Sequence, residues 1–262
     1  MIKVEKNFED IPKILNSKNR KDAFSQNLKD KAFNHGKTLY KPRELKNRLH
    51  KIYNLKCVYC EDTLLNTPKH IEHYRPKDIY YWLAYSWDNL FLCCTSCNGS
   101  KGVNFEVKNK KILYTDETYK DIHSLGDNYD ILEKPMLINP EKEDVLKDLT
   151  FDDKAQIFSS NDRVSYTLDI CNLRRDELRV LREEILTDFV IRIERHYNNF
   201  KIKKDLTRFE PDIETFIENC NKGNKFYSFR YFILNNPEVF FKKVPIQKIV
   251  KLIIKKLSKN EK

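Results

Sequence analysis

The apolar positions of this chain recur mostly at helical spacing. Ala23, Phe24, Leu28, Ala32 and Phe33 form one stripe of residues 20–34, with Gly36 placed to end the element, so the pattern predicts a helix there. Leu45, Leu49, Ile52 and Tyr53 form a second stripe behind Pro42, a residue that can open a helix without sacrificing a hydrogen bond. From Asp162 onward the spacing stays helical. Its longest element is predicted from about Arg175 to Lys203, with Leu178, Leu181, Ile185, Phe189 and Ile193 facing a core. Pro211 and Pro245 each open a further helix, and Ile246, Ile249, Val250, Ile253 and Leu257 make the stripe of the last one. Residues 149–158 read instead as a hairpin turning at Asp153-Lys154. A shift in composition at Met136-Leu-Ile-Asn-Pro140 predicts two regions, 1–140 and 141–262.

Composition narrows the class. With 262 residues, 40% of them hydrophobic and only five glycines, the chain can bury a core and is neither disordered nor collagen-like. It holds no apolar run near the ~20 residues of a membrane span, and Met1 to Glu9 does not read as a signal peptide, so a cytoplasmic protein is expected. The net charge of +10 predicts an anionic partner. That charge is uneven: residues 1–56 carry 15 basic against 6 acidic side chains, residues 239–262 carry 8 against 1, and the middle is neutral to acidic. In the last helix Lys248, Lys251 and Lys255 are candidates to face nucleic acid. The five glycines never approach the GxxxxGK[ST] spacing, so any nucleotide sensing must come from another protein.

Seven cysteines point to metal or free thiols. Cys57-Val-Tyr-Cys60 and Cys94-Thr-Ser-Cys97 are two knuckles, each placing two thiolates on one side of a tight turn; together they complete the four-sulfur shell of a structural Zn²⁺. Cys93, Cys171 and Cys220 read as core residues. The 33 residues between the knuckles hold Ile71-Glu72-His73-Tyr74-Arg75-Pro76-Lys77 and Trp87-Asp88-Asn89-Leu90, and the second knuckle continues Asn98-Gly99-Ser100-Lys101-Gly102. An acidic residue, His, Asn and a CxxC-Asn-x-x-Lys knuckle, in this order over about residues 57–105, resemble the HNH endonucleases in their zinc-stabilised variant.

That resemblance implies an α+β, mostly α fold in which a ββα-metal module sits between N-terminal helices and a C-terminal helical region. It implies that His73 is the general base, Glu72 and Asn98 ligands of a catalytic divalent metal, and Asn89 the residue holding the loop that orients the base. A shell of few oxygen donors suits Mg²⁺ or Mn²⁺. Adjacent residues on a regular strand face opposite ways, so Glu72 and His73 can share a site only where the strand ends or bulges, as Tyr74-Arg75-Pro76 suggests. Arg75, Lys77 and Lys101 are candidate phosphate contacts. Tyr80, Tyr81, Trp82, Tyr85 and Trp87 fit packing better than base stacking, and His35, His50, His70, His123 and His196 have no legible partner, with His70 nearest the motif.

A narrower resemblance rests on Met1-Ile-Lys-Val-Glu-Lys, Ile71 to Lys77, Trp82 to Leu90, Leu137-Ile-Asn-Pro140, Phe151-Asp-Asp and the helix after Cys171-Asn-Leu-Arg-Arg175. These features are similar to the PtuB-like nucleases of Septu and retron-associated antiviral defence. They imply a partner ATPase of the PtuA type and nucleic acid as substrate, DNA before RNA. The rival readings are a restriction or nicking HNH nuclease acting alone and a catalytically idle zinc-based nucleic-acid-binding module.

Overall fold

A computed structural model describes residues 1–35, 42–66, 68–203 and 206–260. Among these, ten α-helices and two small two-stranded sheets divide into two compact units, and the division is discontinuous: Met1–Val145 with Ser160–Leu173, and Leu146–Ser159 with Arg174–Lys262. The fold is α+β and mostly α, as expected. The chain crosses between the units three times, after residues 145, 159 and 173.

The first unit begins with α1 (Lys18–Asp30) and α2 (Arg43–Ile52). α1 ends earlier than its apolar stripe, because Lys31 takes the left-handed conformation (φ 49°) and the Ala32 N–H turns back to the Asn27 carbonyl at 3.2 Å. Gly36, the expected stop, lies outside the described residues. α2 buries Leu45 and Leu49 and packs on the strand Leu90–Cys94.

The two knuckles enclose the ββα element. β1 (Lys69–His73) pairs antiparallel with β2 (Leu90–Cys94), in register from Lys69 opposite Cys94 to His73 opposite Leu90, and α3 (Thr95–Lys101) follows β2 directly. The aromatic connection between the strands is buried: Trp82, Trp87, Tyr80 and Tyr85 are core residues, so they pack rather than present a stacking platform. α4 (Gly126–Glu133) begins where the Gly126 N–H meets the Asp88 carboxylate at 2.7 Å. A Cβ at Gly126 would lie 2.7 Å from that carboxylate and 2.8 Å from the Lys142 ammonium, so a side chain there would have to displace both.

α5 (Asp162–Ile170) belongs to the first unit through side chains far from it in sequence. Arg163 binds Glu143 (2.5 Å) and the Pro135 carbonyl (2.8 Å), and Thr167 Oγ1 accepts the Ile138 N–H (2.9 Å). In the second unit, β3 (Thr150–Phe151) and β4 (Ile157–Phe158) form the expected hairpin, though the connection is longer than two residues and is held by Asp152, which accepts from the N–H groups of Lys154 and Gln156. Phe151 packs on Phe229 of α8 (Tyr227–Asn235). The long α6 (Asp176–Lys203), α7 (Phe209–Glu218), the short α9 (Pro237–Phe240) and α10 (Val244–Asn260) complete this unit. Ile246, Val250 and Ile253 bury the stripe of α10, while Lys251 pairs with Glu238 at 2.7 Å.

Candidate active site and zinc site

The four knuckle cysteines converge. The Sγ atoms of Cys57, Cys60, Cys94 and Cys97 all lie within 4.8 Å of one another, with Cys60 and Cys94 3.9 Å apart. A tetrahedral Zn²⁺ with Zn–S bonds of about 2.3 Å separates its sulfurs by roughly 3.8 Å, so the donor set fits that ion. Cys94 also caps α3, its Sγ accepting the Cys97 N–H at 3.4 Å. Hydrogen bonds from the surrounding thiols, Cys57 first, push the Cys94 thiol far down toward the thiolate that a metal binds. Cys93 is fully buried beside Cys57 and Cys171 is buried as well; burial pushes both thiols up, as suits core residues.

Beside the ribbon lies a cleft of about 180 Å³ whose walls include His70, Glu72, His73, Lys77, Asp78 and Asn98. Glu72 and His73 reach it together because β1 ends at His73 and the chain turns immediately into Tyr74-Arg75-Pro76. His73 is 6% exposed and its Nε2 lies 3.0 Å from the Ala84 carbonyl. A carbonyl can only accept, so Nε2 carries the hydrogen, and in the neutral ring the lone pair belongs to Nδ1.

Asn89 brackets the loop that leaves β1. Its Oδ1 accepts the Arg75 N–H at 2.7 Å, and its Nδ2 donates to the carbonyls of Arg75 (3.0 Å) and Leu83 (3.2 Å). The Asn89 carbonyl also accepts the Tyr74 N–H at 3.0 Å. One buried carboxamide thereby ties the turn after His73 to the segment that carries Ala84, the partner of the His73 ring.

Two of the expected phosphate contacts are turned inward. Lys101 is 0% exposed; its ammonium donates to the His73 carbonyl at 2.9 Å and meets Glu72 Oε1 at 2.6 Å. It is an internal clamp from α3 to β1, and a phosphate cannot reach it. Burial pushes the Glu72 carboxyl up, and Lys101 opposes that shift. Arg75 is buried too, with Nε on Glu133 (2.9 Å) and a terminal nitrogen on Asp130 (2.6 Å). Burial works against its charge, but Asp130, Tyr74 and Glu133 outweigh burial and hold the guanidinium above its usual range. Lys77 does line the cleft, 3.6 Å from the Asp78 carboxylate and over the Phe33 ring.

Some cleft residues carried no legible role in the sequence. Asp78 sits on the wall and pairs with His35 at 2.7 Å, and His70 hydrogen-bonds Thr95 Oγ1 at 3.1 Å. Only their short distance from the Glu72-His73 pair could have drawn attention to them. His123 is structural: its Nδ1 accepts the Trp87 N–H at 3.1 Å. His196 pairs with Asp212 in the second unit.

Residues 57–104 match the family model of the HNH endonucleases. This segment is an HNH domain. Beyond the HNH domain the chain is similar to "Septu protein PtuB" of Bacillus mycoides (strain KBAB4), 27% identical over 190 residues that cover 66% of this chain and 61% of that protein. It is 36% identical to "Septu protein PtuB" of Bacillus thuringiensis over 93 residues, 35% of this chain and 36% of the relative. It is also 22% identical to "Septu protein PtuA" of the same Bacillus mycoides strain over 233 residues, 83% of this chain but 30% of that protein. The chain therefore spans less than two thirds of the length of each of these relatives. No helix among the described residues is long and apolar enough to cross a membrane.

Proposed function

We propose that this protein is a metal-dependent HNH endonuclease that hydrolyses phosphodiester bonds of nucleic acid, DNA before RNA, as the nuclease of an antiphage defence system of the Septu type, together with a PtuA-type ATPase. The observation that carries the chemistry is the position of His73: one ring nitrogen is committed to a backbone carbonyl, and the ring opens on a cleft shared with two oxygen donors, Glu72 and Asn98. In the reaction, His73 Nδ1 takes a proton from water, and the water oxygen bonds to phosphorus as the bond to the leaving sugar oxygen breaks. Asn89 and Lys101 keep the base in place, one through the loop after it and the other through its own carbonyl. The Glu72 carboxylate and the Asn98 carboxamide would hold Mg²⁺ or Mn²⁺, which supplies charge stabilisation at the phosphate and the leaving oxygen. Zn²⁺ at Cys57, Cys60, Cys94 and Cys97 is structural. The partner reading draws its support from the matches to Septu proteins and from the lack of a P-loop spacing among the five glycines.

Cleavage of DNA and RNA by the purified chain, alone and with the PtuA-type partner, tests the reading. Mg²⁺ or Mn²⁺ should support cleavage and a chelator should stop it. His73→Ala should lose about 10²–10⁴-fold in rate, the usual worth of a general base, while retaining zinc and helical content. Cleavage by that variant at the wild-type rate refutes the mechanism. Nucleic-acid binding without any metal-dependent cleavage favours the idle binding module.

A further inference from the structure

The Lys101 ammonium does more than hold β1 to α3. It lies 2.6 Å from Glu72 Oε1, and both side chains are buried, so salt and water screen this pair far less than a surface pair. A cation that approaches the same carboxylate therefore meets the positive charge of Lys101. The hard oxygen donors that β1 and α3 bring to the cleft are the Glu72 carboxylate and the Asn98 carboxamide. Asn98 is neutral, and Lys101 cancels the single negative charge of Glu72. The remainder of the wall does not restore it. Asp78 is the other carboxylate there, and Lys77 lies 3.6 Å from one of its oxygens while His35 lies 2.7 Å from the other. Two carboxylates, Glu72 and Asp78, thus face two ammonium groups, Lys77 and Lys101, and their charges sum to zero. The zinc site is built the opposite way, since four cysteine sulfurs that bind as thiolates overcompensate the ion they hold. A divalent cation in the cleft gains no net countercharge from the protein. Substrate phosphates commonly complete such magnesium-like shells.

We propose that Lys101 makes occupancy of the catalytic metal site conditional on bound nucleic acid: by neutralising Glu72 it keeps the cleft from retaining a divalent cation until a backbone phosphate supplies the missing charge. The proposal rests on the nuclease reading and adds the order in which its centre assembles. Lys101 is a positioning residue in this scheme, acting through Glu72 and the His73 carbonyl without reaching the phosphate. By linkage, metal and nucleic acid tighten each other's binding by the same factor.

The test measures Mn²⁺ binding to the zinc-loaded full chain carrying His73→Ala, by electron paramagnetic resonance of the free ion. It is run without nucleic acid and with saturating duplex DNA, single-stranded DNA or RNA, and Glu72→Gln in the same chain gives the background of ion held by the oligonucleotide itself. At least one oligonucleotide should tighten Mn²⁺ binding by about 10-fold or more. Lys101→Met should tighten binding to the free protein by a similar factor and shrink the effect of the oligonucleotide. Lys101→Arg keeps the charge and should behave as its parent, which a role in shape alone does not require. Lys77→Gln removes a like charge from the wall without touching the clamp and should move the free-protein affinity the same way by less; should Lys101→Met lose its zinc or helical signal, this variant and the oligonucleotide effect on the parent decide. Mn²⁺ bound equally tightly with and without every oligonucleotide, or a free-protein affinity unmoved by a folded Lys101→Met, overturns the proposal; metal-dependent cleavage by the wild-type chain then leaves the nuclease reading standing. No Mn²⁺ binding in any arm also overturns the proposal, and absence of metal-dependent cleavage by the wild-type chain overturns the nuclease reading with it.

Discussion

Buried charge is concentrated in one unit of this protein. In the first unit, Lys6, Arg20, Lys56, Glu61, Glu72, Arg75, Asp88, Lys101, Glu133 and Glu141 are all withdrawn from water; in the second, Arg182 is the charged residue so placed among the described residues. The second unit instead buries aromatic and aliphatic stripes, such as Phe189 stacked on Phe216 at 4.1 Å, and leaves its ion pairs on the surface. A buried ion pair adds little net stability, because desolvation offsets the attraction, but removing one partner is costly. The first unit is therefore organised for fixed positions: Lys6, Arg75 and Lys101 are each aimed at buried carbonyls or carboxylates around the ββα element. The second unit is organised for bulk stability.

The zinc site should separate the two units most sharply. Structural Zn²⁺ can contribute about 10–16 kcal/mol of apparent binding energy, and all four ligands lie in the first unit. Cys57→Ser should lose zinc and the ordered aromatic packing of the first unit, while the helical signal of α6, α7 and α10 survives. Zinc analysis with near- and far-ultraviolet circular dichroism measures this; simultaneous loss of both signals would show that the units do not stand apart. Next in size is the buried guanidinium. Arg75→Met leaves the buried Glu133 without its cation, while Asp130 keeps Lys142 at 2.8 Å, and should cost about 3–5 kcal/mol in denaturant unfolding.

Acid should also act on the first unit. Burial pushes His123 down to about 4, so it stays neutral in the folded protein while the unfolded chain takes up a proton near pH 6.5. The unfolded state binds the extra proton between those values. This contribution is thus fully present above pH 6.5 and is lost as pH falls toward 4, on the order of 2–3 kcal/mol. His123→Asn, which keeps an acceptor for the Trp87 N–H, should flatten that part of the stability profile, and an unaltered profile would discount His123 as its source. The smallest effect belongs to the second unit: Lys251→Gln breaks an exposed pair and should change stability by less than ~1 kcal/mol.

The knuckles and the Glu72-His73 pair were legible because their chemistry is local in sequence: two residues separate each pair of thiols, and the acid and base are neighbours. Helices with a continuous apolar stripe, α2 and α10, were legible for the same reason. Arg75 and Lys101 were misread as phosphate contacts because a basic residue beside a nuclease motif defaults to the surface. What draws them inward lies 58 residues away for Arg75, at Glu133, and 28 away for Lys101, at the His73 carbonyl. The discontinuous division into units was hidden for a similar reason. Nothing in the pattern of α5 distinguishes it from the helices after it; Arg163 reaching Glu143 and Thr167 meeting Ile138 assign it to the first unit.

That assignment has a consequence for the chain as it leaves the ribosome. The zinc ligands have all been synthesised by Cys97, yet α5 follows only after Leu146–Ser159, a segment belonging to the other unit. The first unit therefore cannot be completed until translation reaches Leu173, long after its four knuckle cysteines have been made. A chain cut after residue 145 would keep Cys57, Cys60, Cys94 and Cys97, His73 and Glu72, but leave Glu143 and the Ile138 N–H facing water where Arg163 and Thr167 belong.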